Sequence, residues 1–205
     1  MMIGTWATAL IVGLSKPMLT AQDAEQASMA EIQVMGSTLY RLQRDVRQSD
    51  PNGIFICTNV SGAISCSQAS NYAELTDVPY FAVLTAQVNG TGPTRWDSTG
   101  RPSWKGFNVY WLVPDGSGTN TMFCAFGSAN IPPGGGASGL NANASAAVAA
   151  AIATTDADPV AHNLQQFQSM VDVNKDRVAL RLVGLTTAHG ASNQMTVQGD
   201  AYARN

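Results

Sequence analysis

Asp172-x-Asn174-x-Asp176 sets oxygen-bearing side chains at the spacing that opens a calcium loop. Such a loop also needs glycine at its sixth position and glutamate at its twelfth. Arg177 stands at the sixth, and no glutamate closes the run. The spacing predicts a turn between strands, with calcium as the alternative. Gly134-x-Gly136-x-x-Gly139 has the letters of a dinucleotide fingerprint but follows Pro132-Pro133. The fingerprint works only between a parallel strand and a helix, so a flexible loop is expected instead. His162 and His189 have no histidine or cysteine at ligand spacing and are expected on the surface or in loops. Ser117, in Gly116-Ser117-Gly118, is in a turn rather than a nucleophile elbow. Asn59-Val60-Ser61, Asn89-Gly90-Thr91 and Asn143-Ala144-Ser145 match glycosylation acceptors and read as polar loops. No catalytic, cofactor-binding or metal-ligating residue is assigned.

Two cysteines have a more definite geometry. Ile54 to Cys57 and Ala63 to Cys66 flank Ser61-Gly62. A two-residue hairpin turn there places Val60 opposite Ala63 and Cys57 opposite Cys66. As a non-hydrogen-bonded pair, 57 and 66 would have Cα atoms ~4.5 Å apart, at the near edge of the disulfide range. A bridge forms there in an oxidising compartment; otherwise both thiols stay reduced. Cys124, within Met122 to Phe126, reads as a buried small residue. Among the aromatic residues, Phe107 and Trp111 share a strand face and are expected in a core. Trp96, in a Gly/Pro/Thr-rich stretch, is the candidate for an exposed, adhesive position.

The elements that would position these residues differ along the chain. Ile32, Met35, Leu39, Leu42 and Val46 recur at spacings of three and four, which lines one face of a helix. Arg41, Arg44 and Arg47 suit its C-terminal turns. Ser49-Asp50-Pro51-Asn52-Gly53 stops it. The helix is expected from about Thr5 to Gln48, kinked near Pro17 or Gly36. Its first part, Met1 to Leu14, carries no charge and presents Ile3, Trp6, Leu10, Ile11 and Leu14. Fourteen residues rise ~21 Å, short of the ~30 Å hydrocarbon core. The segment reads as a weak signal peptide, a buried helix end or the tail of a longer membrane segment, and the long helix that follows favours the last.

Beyond Gly53 the pattern turns strand-like. Strands are expected over Ile54–Cys57, Ala63–Cys66, Tyr80–Val88, Phe107–Val113, Thr121–Phe126, about Arg177–Leu182 and Met195–Ala201. Short turns make the sheet largely antiparallel. The Gly-rich stretch from Ile131 and an alanine-rich helix over Asn141–Thr155 interrupt it. The expected division is a helix over 1–50, its half from 1 to 25 proximal to a membrane or assembly and its half from 26 to 48 packed on the domain. A β-rich head follows over 51–205, with an insertion at 131–159.

The 205 residues suit one domain with an appendage. Apolar residues make up 45%, enough for a sizeable core and too many for a disordered chain. Charged residues make up 12%, and the net charge of -3 leaves no basic stripe for nucleic acid.

In order along the chain, particular segments resemble the type IV pilin-like proteins. Leu39-Tyr40-Arg41-Leu42-Gln43-Arg44-Asp45-Val46-Arg47-Gln48 resembles the helix end of J-type pseudopilins and W-type minor pilins. Trp104 to Trp111 is similar to their aromatic central strand, and Met195 through Ala203-Arg204-Asn205 to their final strand. Family members begin with a basic leader and a glutamate at the fifth mature position. Met1-Met2 resembles an internal start, so the leader and roughly the first dozen mature residues are expected to be missing.

The resemblance implies an α+β, pilin-like fold: a long N-terminal helix packed on a mainly antiparallel sheet, with the Gly-rich loop and Ala-rich helix inserted. It implies a structural subunit and no enzyme. Its partners would be other minor and major pilin-like subunits and, through the N-terminal helix, the bacterial inner membrane. The head would be periplasmic or built into the fibre. The other class of reading is a secreted or periplasmic β-rich binding or adhesion module behind an N-terminal signal segment.

Overall fold

The computed structural model describes residues 2–68, 74–87, 96, 102–129, 131, 137–172, 177–188 and 191–203; for 2–20, 137–139, 187–188 and 191 it describes the backbone alone. Helix α1 (Met2–Arg47) runs unbroken through Pro17 and Gly36. It stops where Pro51–Gly53 forms a single 3-10 turn, capped by the Asp50 carboxylate, which accepts from the Asn52 N–H. Strands β1 (Ile54–Val60), β2 (Ala63–Gln68), β3 (Thr76–Asp77), β4 (Tyr80–Thr85), β5 (Gly106–Pro114) and β6 (Asn120–Ser128) follow. After helix α2 (Ala137–Ile152) come β7 (Asp158–Asp172), β8 (Arg177–Ala188) and β9 (Ala191–Tyr202).

These strands form one sheet in the order β2-β1-β4-β5-β6-β7-β8-β9, with β3 on the far half of β7, and every pairing is antiparallel. The finding corrects the expected α+β, pilin-like class. The described chain is mainly β, with nine strands in a single sheet and two α-helices. The physical reason lies in the second half of the chain. Residues 158–172, for which alternation gave no strand, form the longest one, and 191–202 extend well past the expected closing strand. Register shifts between Asn120 and Met122 and between Leu164 and Gln166 break the period of two that would have revealed β7.

The sheet has a core on each face. Toward α1 lie Phe81, Tyr110, Met122, Leu164, Phe167, Leu180 and Leu182, with Met35, Leu39, Leu42 and Val46 of the helix. Toward α2 lie Phe55, Leu84, Phe107, Val109 and Trp111, with Leu140, Ala144, Ala147, Val148 and Ala151. Strand β5 is central and covered on both sides over 106–111, which fits the nearly continuous apolar run at Phe107, Val109, Tyr110 and Trp111. The small face of α2 permits close approach: a Cβ on Gly127 of β6 would collide with the Ala147 carbonyl. Among the described residues, no helix is long and apolar enough to cross a membrane.

Candidate functional site

The C-terminal third of α1 is fixed to the sheet by apolar contacts and by one buried polar cluster. Met35, Leu42 and Val46 are fully buried and Leu39 nearly so, whereas Ile32 of the same predicted stripe is 47% exposed. Ile32 is therefore not a sheet-packing residue. Ahead of it, residues 21–30 are exposed or half-exposed. Ile3, Trp6, Leu10, Ile11 and Leu14 lie on the helical backbone of residues 2–20, outside the described side chains.

The polar cluster centres on Asp45, whose side chain is 1% exposed. Its Oδ2 accepts from the Tyr110 hydroxyl at 2.6 Å and from Asn108 Nδ2 at 2.7 Å. Its Oδ1 accepts from Arg44 Nη2 at 3.0 Å and Nε at 3.2 Å. A buried carboxylate is tolerated only when so satisfied. One turn earlier, Arg41 Nη2 reaches Cys124 Sγ at 3.5 Å. Burial pushes the Tyr110 hydroxyl well above its ordinary value, and Cys124 and Asp45 push it further. Burial likewise raises the Cys124 thiol to about 11, against the pull of Arg41. Burial tends to lower the Arg41 pKa, but neighbouring Cys124, Tyr110 and Asp45 outweigh it and raise it. All three groups stay in their ordinary protonation states near neutral pH. The cluster serves to orient the helix.

Further hydrogen bonds set the helix across the strands. Thr38 Oγ1 donates to the Val160 carbonyl of β7 at 2.7 Å, and Gln43 Nε2 donates to the Asp200 carbonyl of β9 at 3.0 Å. Gly199 lies under Gln43 and Leu39 so closely that a side chain there would collide.

The remaining candidates do not gather into a site. Cys57 and Cys66 are cross-strand partners joined by a disulfide, behind a turn in which Ser61 (φ 53°) and Gly62 (φ 87°) are left-handed. Ser117 donates its hydroxyl to Asp115 at 2.6 Å within the β5–β6 turn. Bonds from Ser117 and Thr119 hold the Asp115 carboxyl down to about 2, so it cannot act as a base for Ser117 near neutrality; the group organises the turn. His162 Nδ1 and Thr121 Oγ1 are 3.2 Å apart on the surface. For the calcium reading, Asn174 and Asp176 lie outside the described residues, as do Gly134 and Gly136 of the fingerprint, His189 and Asn89. Among the described residues, no group of His, Cys, Asp and Glu could hold a metal ion. Trp96 is 61% exposed, whereas Trp111 and Tyr110 are buried.

Sequence reasoning missed Asp45, because an aspartate beside Arg44 in an arginine-rich turn reads as a surface ion pair. The signal that could have found it is its place between Leu42 and Val46, opposite a strand carrying Asn108 and Tyr110. The chain matches no protein-family model, no curated protein and no solved structure in comparisons with each.

Proposed function

We propose that the chain is a structural minor pilin or pseudopilin subunit of a type IV pilus or a type II secretion pseudopilus. It would contribute to assembly initiation or to a tip complex by helix packing. The order of the segments at 39–48, 104–111 and 195–205 supports this reading. The observation that carries it is the division of α1. One helix of 46 residues, ~69 Å long at 1.5 Å per residue, has among its described side chains, residues 21–47, fully buried ones only from Met35 onward. A helix held so firmly at one end and extending so far at the other offers its leading part to other helices or to lipid. The disulfide fits a periplasmic head.

The alternative, a secreted or periplasmic β-rich binding or adhesion module, draws support from the predominance of strand and from the exposed Trp96. Crosslinking in intact cells separates the two. The subunit reading expects recovery with other small helix-led subunits. Release into the medium as a monomer supports the binding module.

A further inference from the structure

The side of α1 that faces away from the sheet carries an ordered stripe of its own. Met35, Thr38, Leu42, Asp45 and Val46 face the sheet and are buried. On the opposite side Gln33, Ser37, Tyr40, Arg44 and Arg47 are exposed, at alternating spacings of four and three. Ala30, Gln26 and Asp23 continue that alternation toward the N-terminus and are exposed too. Such a repeat keeps a seam on one side of a helix, the geometry in which two helices pack along their length.

The chemistry changes along this stripe. Its middle is apolar: Tyr40 is 64% exposed, and Met29 and Val34, on its two flanks, are 67% and 38% exposed. Its ends carry opposite charge. Between Lys16 and Arg41 every charge is acidic (Asp23, Glu25 and Glu31), whereas Arg44 and Arg47 make the other end basic. Arg44 gives Nε and Nη2 to Asp45, yet its side chain is still 44% exposed. The arginines suit a helix C-terminus in any case. The acids have no such reason, because α1 begins at Met2 and a helix N-terminus favours acids only within its first turn. An apolar middle between ends of opposite charge is complementary to itself when turned end for end.

We propose that this face pairs with the same face of a second copy of the chain, the two helices running antiparallel about a two-fold axis level with Met35. Asp23 of each copy then lies opposite Arg47 of the other. Gln26 lies opposite Arg44, whose guanidinium has more N–H groups than Asp45 uses. Tyr40 meets Ala30, small enough to leave room for the ring, with Met29 and Val34 alongside. Gln33 meets Ser37 beside the axis. A parallel pair in register would instead set Arg44 on Arg44 and Arg47 on Arg47, which like charges oppose. The contact runs over residues 23–47 of each helix, ~37 Å at 1.5 Å per residue. It is isologous and so closes at two copies, and its largely polar makeup suits a weak, reversible dimer. It also turns the two leading segments in opposite directions. The dimer is therefore a form of the chain outside a membrane or fibre; it stands apart from the pilin reading, which a monomer would leave untouched.

The test is sedimentation equilibrium on the full chain, purified in a mild non-ionic detergent. A monomer–dimer equilibrium is expected, with a Kd on the order of 10 µM that weakens as salt is added. Asp23→Arg and Arg47→Asp alter exposed positions and should keep the fold. Each alone sets like charges together at both ends of the pair and should weaken the dimer by about tenfold. Mixing the two variants should restore it as a heterodimer, because every arginine then meets an aspartate. Spin labels on Gly36→Cys and Ala27→Cys read the direction of the helices, since Cys57 and Cys66 are bonded and Cys124 is buried. In the antiparallel pair the two copies of each labelled position lie ~3 Å and ~24 Å apart along the axis, respectively, whereas a parallel pair makes the two distances equal. A monomer at millimolar chain, single variants that dimerise as the native chain does, no recovery on mixing, or equal label distances would each overturn the proposal.

Discussion

The Tyr110 hydroxyl donates to Asp45 Oδ2 at 2.6 Å, so the last turn of the long helix is bonded to the middle of the central strand. Asn108 donates to the same oxygen from two residues away along β5. The orientation of α1 over the sheet thus depends on one carboxylate that water does not reach.

Replacing that carboxylate should be costly. Asp45→Ala leaves the Tyr110 hydroxyl and the Asn108 amide buried without an acceptor, and should lower unfolding stability by about 3–5 kcal/mol. Tyr110→Phe removes one bond and should cost less, roughly 1–3 kcal/mol. Urea unfolding of both variants measures the difference, and equal small losses would show that the cluster does not hold the helix.

The same cluster sets an alkaline limit. Cys124 is raised to about 11 from an ordinary value of 9.0, and Tyr110 is raised as well. In the folded state both keep protons that the unfolded chain has already released. Stability is therefore fully present below pH 9 and falls as pH rises toward 11 and beyond. Cys124 alone contributes a loss on the order of 2–3 kcal/mol. In Cys124→Ala the decline between pH 9 and 11 should be shallower, as read from midpoints of chemical unfolding across that range.

The disulfide closes a short loop, Cys57 and Cys66 being nine positions apart in sequence. By loop-closure entropy it should contribute roughly 2–3 kcal/mol. The double variant Cys57→Ala/Cys66→Ala should lose about that much and expose the β2 edge to faster amide exchange. Unchanged exchange in β2 would contradict its role as an edge staple.

The seat of α2 should depend on Gly127. An added methyl falls on the Ala147 carbonyl, so Gly127→Ala must push the helix away from β6. A cost of about 1–3 kcal/mol is expected from overpacking. Heat unfolding checks the size, and a neutral variant would show that the helix does not sit this close.

Much of this architecture was legible where local chemistry decides it. The 57/66 hairpin follows from Ser61-Gly62 between two β-rich runs, and the buried stripe from Met35, Leu39, Leu42 and Val46 at helical spacing. Ile32 fits the same spacing but lies 47% exposed, and sequence carries no record of where along a long helix the sheet begins to cover it. The fold class was misjudged because bulges hide β7 and because the length of β9 is set by its pairing with β8 rather than by its own alternation. Asp45 was illegible because its partners stand more than sixty positions away on another element.

The central claim, that the leading part of α1 is an assembly surface, is tested most directly by cysteine crosslinking in intact cells. Ala21→Cys and Ala27→Cys place thiols at exposed helix positions, while Cys57 and Cys66 are bonded and Cys124 is buried. Oxidation should trap each variant with other small helix-led subunits, and a control cysteine at exposed Ser117 should give no such product. Monomer from both helix variants, with the chain released into the medium, would contradict the account.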